Sequence, residues 1–198
     1  VILHRVYASD PTLPALDGIW VTADELAAGP DTCPAGPTSH DNGFLRQARG
    51  NRNPVTWTML RQQRVTLVGD LDLSMLWNDP ARLASWTREN VESYWAPWHA
   101  RASRLMTAPG LAILGGRAVA WGVLGICRLH YTLSSGGVVS KTAAGEHALT
   151  VFDARWHRIL GEALRLRRGE AGRRYANPLE RRRDALDFIA MVIAAMRG

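Results

Sequence analysis

From Asp79 to the C-terminus the chain repeats apolar side chains every three or four residues, and helix-start and helix-stop residues punctuate the repeats, so this stretch is built to fold as packed helices. Asp79 and Pro80 make an N-cap and a first helical position. Leu83, Trp86, Val91, Tyr94, Trp95 and Trp98 follow at helix spacing, with a kink expected at Pro97 and an end at Pro109 and Gly110. The run from Arg117 to Leu133 is mostly apolar and carries Gly122 and Gly125, which marks a central helix closely approached by its neighbours. Gly136 and Gly137 stop it. Ser140 caps a third helix, and Asp153 caps a fourth bearing Trp156, Ile159, Leu160, Ala163 and Leu164. Residues 169–176 form a charged turn. Asn177, Pro178 and Glu180 then open a last helix with Leu186, Ile189, Ile193 and Met196 inward.

Ahead of Asp79 the pattern is mixed. Leu16 to Thr22 alternates briefly and is the best strand candidate, 23–41 reads as a loop rich in Pro, Gly, Asp and Thr, and Pro54 to Gln63 as a short helix. Val65 to Gly69 reads as extended, and Asp70 to Leu76 as one or two helical turns. The fold class expected is therefore mainly α: a five-helix bundle over 79–198, preceded by a small α+β region over 1–78. The chain begins without Met, and Val1 to Tyr7 read as the end of a helix already under way, so an upstream segment is expected.

With 198 residues, 46% of them hydrophobic, a full core is affordable. The net charge of +6 is spread over nearly every helix rather than gathered on one face, which argues against a nucleic-acid partner. Cys33 and Cys127 are too far apart in context to suggest a metal pair or a disulfide framework, and a reducing cytoplasm is expected. No apolar run reaches the roughly 18 residues of a membrane span. Trp20, Trp57, Trp86, Trp95, Trp98 and Trp121 are expected in the core.

Arginine supplies 23 of the 24 basic residues, and the one lysine, Lys141, follows the Ser140 cap. A cation in the first turn opposes the helix dipole, so it is useful there chiefly if an anion must sit in front of it. Arg128, 13 residues earlier on the central helix, emerges from an apolar stripe. It is either paired with an internal acid such as Glu162 or Asp184, or it shares a phosphate with Lys141. Arg167 continues the stripe of the fourth helix and is a further candidate for that pocket, or a helix end reaching for water. Asp70-Leu71-Asp72 has the form of a carboxylate pair for a divalent metal, but Asp70 after Gly69 serves equally as a helix cap, the reading preferred here. His40 is a candidate base or ligand, or a surface hydrogen-bonding residue.

The run Arg128-Leu129-His130-Tyr131-Thr132-Leu133-Ser134-Ser135-Gly136-Gly137-Val138-Val139-Ser140-Lys141 resembles the signature of the helical C-terminal domain of streptomycin/spectinomycin-type aminoglycoside adenylyltransferases. The resemblance implies a first domain of nucleotidyltransferase type, of which 1–78 would be the incomplete C-terminal part, and a helical bundle domain over 79–198. It implies transfer of AMP from ATP to a hydroxyl of an aminoglycoside-like small molecule. By the resemblance Arg128 and Lys141 would contact ATP; Ser140 as the cap and Arg167 from the fourth-helix stripe are candidates for the same pocket by their own positions. Ala15 to Val21 is similar to the strand bearing the family's general base, a Glu whose place is taken here by Asp17. The family's Gly-Ser loop and metal-binding Asp pair are absent, so the Mg2+ ligands are expected upstream and the chain alone is expected to be inactive. Ala118 and Trp121 occupy the positions of a drug-binding acid and its polar neighbour, so the acceptor is expected to differ. The competing reading is a non-catalytic helical binding module with Arg128 in a structural ion pair.

Overall fold

A computed structural model describes residues 17–40, 43–69 and 72–197. They fall into two compact units, divided between Leu83 and Ala84. In the first unit β1 (Gly18–Ile19), β2 (Gly36–His40) and β3 (Gly43–Ala48) form an antiparallel sheet in that order, with Gly18 opposite Ser39 and Thr38 opposite Leu45. Helix α1 (Ala23–Ala28) intervenes between β1 and β2, and α2 (Pro54–Gln63) follows β3.

The loop expected over 23–41 is therefore corrected. Thr22 and Glu25 form a capping box: the Glu25 N–H donates to Thr22 Oγ1 at 3.2 Å and the Thr22 N–H to Glu25 Oε2 at 2.8 Å. Strand β2 has no hydrophobic alternation to announce it. It is held instead by Arg52, which is 5% exposed and donates to Thr38 Oγ1, Pro37 O, Ala48 O and Trp20 O between 2.6 and 3.1 Å. One buried guanidinium thus ties the sheet strands to the turn before α2, satisfying backbone acceptors that a loop would leave to water.

Helix α2 has the bounds expected from sequence, and Trp57 on it is fully buried with its indole N–H donating to Leu26 O at 2.8 Å. Trp20 is a correction: it is 41% exposed and meets Phe44 edge-on rather than entering a core. Residues 65–69 join no strand, and Val65, Leu67 and Val68 stand out in solvent. A single 3-10 turn, Leu73–Met75, follows. Asp72 opens it by accepting from Ser74 N at 2.8 Å. Asp70, Leu71, Asp41 and the segment Val1 to Tyr7 lie outside the described residues, and with them the expected Asp70 cap and one half of the Asp70-Asp72 pair.

Helix α3 (Pro80–Asn90) spans the division, its first turn capped by Asp79, whose Oδ1 accepts from Arg82 N at 2.8 Å. It runs through a π turn, Val91–Trp95, into α4 (Ala96–Ser103). The kink expected at Pro97 takes this form: proline has no N–H to donate, and the turn before it widens so that the Ala96 N–H bonds to Val91 O. Pro109 and Gly110 do not end that helix. They lie in a short helix α5 (Ala108–Ala112), which Thr107 caps by accepting from Gly110 N at 3.1 Å.

Helix α6 (Gly116–Ser135) is the centre of the second unit, with α7 (Lys141–Val151), α8 (His157–Arg168) and α9 (Pro178–Arg197) packed against it. Gly136 ends α6 in the left-handed conformation, φ 69°. Asp153 caps a 3-10 turn, Ala154–Trp156, that leads into α8. The glycines mark the close approaches: a Cβ on Gly125 would lie 2.5 Å from the Trp95 ring, and one on Gly145 would lie 2.6 Å from a Leu124 methyl. Ile159, Leu160, Phe188, Ile189 and Val192 complete the core, while Met196 and Trp86 are only partly buried. Both cysteines are free and buried. No helix among the described residues is long and apolar enough to cross a membrane.

Candidate functional site

The fully buried Glu162 decides how the charges of the helical unit are arranged. It accepts from Arg165 Nε at 2.9 Å and Nη2 at 3.0 Å, from the Arg174 N–H at 3.1 Å and from Arg181 Nη1 at 3.4 Å. Two guanidiniums and a backbone donor hold its carboxyl below the usual range despite burial. Asp184 is taken by Tyr175, at 2.9 Å, and by Arg183. The internal partner that sequence reasoning offered Arg128 is therefore absent: both acids are spent on other groups.

Arg128, Lys141, Arg167 and Arg117 have no carboxylate partner among the described residues. They are also close neighbours. The half-buried Lys141 is pushed down to a pKa of about 8, first by loss of water and then by the charges of Arg128 and Arg167. The Arg128 guanidinium is lowered in turn by burial and by Arg167. Mutual repulsion between cations drawn from three helices is costly where it falls on the half-buried Lys141 and Arg128, while Arg117 and Arg167 are exposed; with no compensating acid among the described residues, it marks a place where an anion would be stabilised.

Helix α7 adds to this. Ser140 caps it as expected, its hydroxyl accepting from Ala143 N at 3.1 Å. That bond commits the Ser140 side chain, so its share in the site is the cap itself. The N–H groups of Lys141 and Thr142 in the same first turn have no partner among the described residues. A cavity of about 360 Å3 opens beside them, lined by Gly116, Arg117, Ala120, Trp121, Lys141, Leu166 and Arg167. Arg128 does not line it and acts through its charge on Lys141.

Sequence reasoning missed Arg117 and the role of Trp121. Lys141 Nζ sits 5.6 Å from the Trp121 ring centroid, and Trp95 stacks on the same ring at 5.1 Å. The signal was present: Arg117, Trp121 and Arg128 are separated by four and seven residues, which puts them on one stripe of α6. On its other flank Trp121 borders a second cavity of about 370 Å3, lined with Trp98, Pro109, Ala112 and Ala118 and lacking any carboxylate.

Asp17 and His40 lie in the first unit, where His40 Nδ1 is 3.3 Å from Asp17 Oδ1 at a largely exposed position. His40 ends β2 rather than standing in a loop. Among the described residues no group of three or more His, Cys, Asp or Glu side chains could hold a metal.

Residues 115–192 match the family model for the aminoglycoside adenylyltransferase C-terminal domain. The match covers α6 to most of α9 and so contains Arg117, Trp121, Arg128, Ser140, Lys141 and Arg167. No curated protein and no solved structure matches the chain.

Proposed function

With residues 115–192 forming an aminoglycoside adenylyltransferase C-terminal domain, we propose that the chain serves a nucleotidyltransferase that moves AMP from ATP to a hydroxyl of an aminoglycoside or a similar small molecule. The helical unit's part is to hold the triphosphate. What supports this is the uncompensated cluster itself: Arg128, Lys141 and Arg167 repel one another, and no carboxylate among the described residues answers them.

A polyphosphate would reverse the sign of that repulsion. Arg117 and Arg167 offer planar forks in the cavity, Arg128 adds its charge from α6, Lys141 gives a point charge, and the first turn of α7 two backbone donors and the positive end of a dipole. Preorganised cations facing a triphosphate also stabilise the charge that develops on pyrophosphate as it leaves. Mg2+, which the family implies, finds no ligand set among the described residues, where Asp72 is committed to its turn. Asp17, with His40 beside it, is the residue proposed to take the proton of the acceptor hydroxyl. An ATP-dependent reaction fits a cytoplasmic location.

The test is calorimetric titration of ATP into the full chain and its Lys141→Ala and Arg128→Ala forms. The proposal expects binding that both substitutions weaken at least about tenfold. Equal affinity in all three proteins would remove the phosphate-holding role.

A further inference from the structure

Lys141 carries the only side-chain amine in the sequence. It opens on a cavity that it shares with Arg117 and Arg167, its ammonium has no carboxylate partner among the described residues, and the charge of Arg128 bears on it from α6. Burial and these cations bring its pKa from 10.5 to about 8. At pH 7.5 about a quarter of it is then free amine, against about one part in a thousand for an ordinary lysine. A weaker base is also a weaker nucleophile, so the gain in reactivity is smaller, on the order of tenfold.

The same cluster that deprotonates the amine attracts anions. An electrophile carrying a phosphate would therefore be drawn to the one side-chain amine in the chain, itself partly deprotonated. We propose that Lys141 is a modification site for small acyl phosphates, drawn in through their phosphate by the cavity-lining Arg117 and Arg167 and by the charge of Arg128, and that acylation there disables the anion site. The proposal rests on the phosphate-holding reading of this cluster and adds its regulation.

In the step, the Nζ lone pair attacks the acyl carbon and a C–N bond forms. The bond from that carbon to the phosphate oxygen breaks, inorganic phosphate departs with the bonding pair, and the extra proton on nitrogen passes to phosphate or water. No oxidant or further reactant is needed. The product is a neutral amide, so the cluster loses one cation and the phosphate site loses its point charge. ATP bound first would both occlude the amine and hold it protonated, so the modification is confined to the empty site.

The full chain is treated at pH 7.5 with acetyl phosphate and, separately, with p-nitrophenyl acetate, an uncharged acyl donor, and peptide mass spectrometry follows acetylation at Lys141 and at the N-terminal amine. The ratio of Lys141 to N-terminal reaction corrects for each donor's intrinsic reactivity. We expect that ratio to be about tenfold or more higher for acetyl phosphate, because only the charged donor is captured. In Arg128→Gln and Arg167→Gln the ratio for acetyl phosphate falls further than the ratio for the ester. Equal ratios for the two donors in the unsubstituted protein would overturn the proposal, and that comparison depends on no variant folding.

ATP titration of untreated and fully acetylated protein separates the two ideas. Untreated protein that binds ATP, with equal donor ratios, sinks acylation alone. Untreated protein that does not bind ATP sinks the phosphate-holding reading and this proposal with it. Binding at least about tenfold weaker after acetylation supports the switch, and unchanged binding overturns it.

Discussion

Replacing Lys141 by Met should make the protein more stable near neutral pH, although it removes a residue of the proposed site. The methionine keeps an unbranched apolar stem beside Trp121 and deletes only the charge. A fall in pKa from 10.5 to about 8 corresponds, at full strength, to about 3.4 kcal/mol of unfavourable charge in the folded state. Lys141 is only partly withdrawn from water, so solvent screening reduces this to about 1–2 kcal/mol. The lost contact with the Trp121 ring, about 0.5–1 kcal/mol, offsets part of it. A net gain of about 1 kcal/mol remains, or about 2–4 °C in Tm for a chain of this size.

The pH dependence carries the sign. The folded pKa lies below the unfolded one, so between them the unfolded chain holds more protons and the stability of the unsubstituted protein rises with pH. The full penalty is present below about pH 8, falls away as pH rises through the folded pKa, and is gone near the unfolded value of 10.5. The advantage of Lys141→Met should therefore be seen by thermal or urea unfolding at pH 7 and vanish by pH 10.5. A variant less stable than its parent at pH 7, or equally advantaged at both pH values, would mean that Lys141 has an acid partner and that the cluster is not uncompensated.

Arg128→Ala should weaken ATP binding by about tenfold, the effect of one nearby charge rather than of a direct contact, and should not lower the unfolding midpoint, because burial and Arg167 already disfavour that charge in the folded state. Glu162→Gln should cost about 3–5 kcal/mol, because it leaves Arg165 and Arg181 uncompensated in the interior, and urea unfolding would read it directly. The Glu162 carboxyl is held below its ordinary value of 4.5, so its contribution is present above that pH and is lost as pH falls through the folded value. Gly125→Ala places a methyl group 2.5 Å from Trp95, which should cost about 1–3 kcal/mol by overpacking and disturb the Trp95–Trp121 stack, visible in the near-ultraviolet circular dichroism.

What the sequence disclosed well was governed by local rules. Helix α2 is foretold by Asn53 and Pro54, the end of α6 by Gly136, the start of α7 by Ser140 and the start of α9 by Asn177 and Pro178, because caps and left-handed turns act within a few residues. Thr22 and Glu25 announce α1 in the same way, although the surrounding Pro and Gly give the segment the composition of a loop. The electrostatic influence of Arg128 on Lys141 has a counterpart in the sequence, where the two residues stand at the two ends of one signature.

Tertiary structure alone decided the rest, since it depended on who pairs with whom across long sequence separations. Strand β2 is paired on both sides by β1 and β3, and Arg52, fourteen and fifteen residues away, donates to its Thr38 hydroxyl and Pro37 carbonyl, contacts that no periodicity encodes. Arg165, Arg167 and Arg181 look alike as residues. Only the fold gives Glu162 to the first and the last, leaving Arg167 unanswered beside Lys141. Helix caps are chosen by neighbours in the chain. The sign of a cavity is chosen by which acids have already been consumed elsewhere, and that is settled when the helices pack.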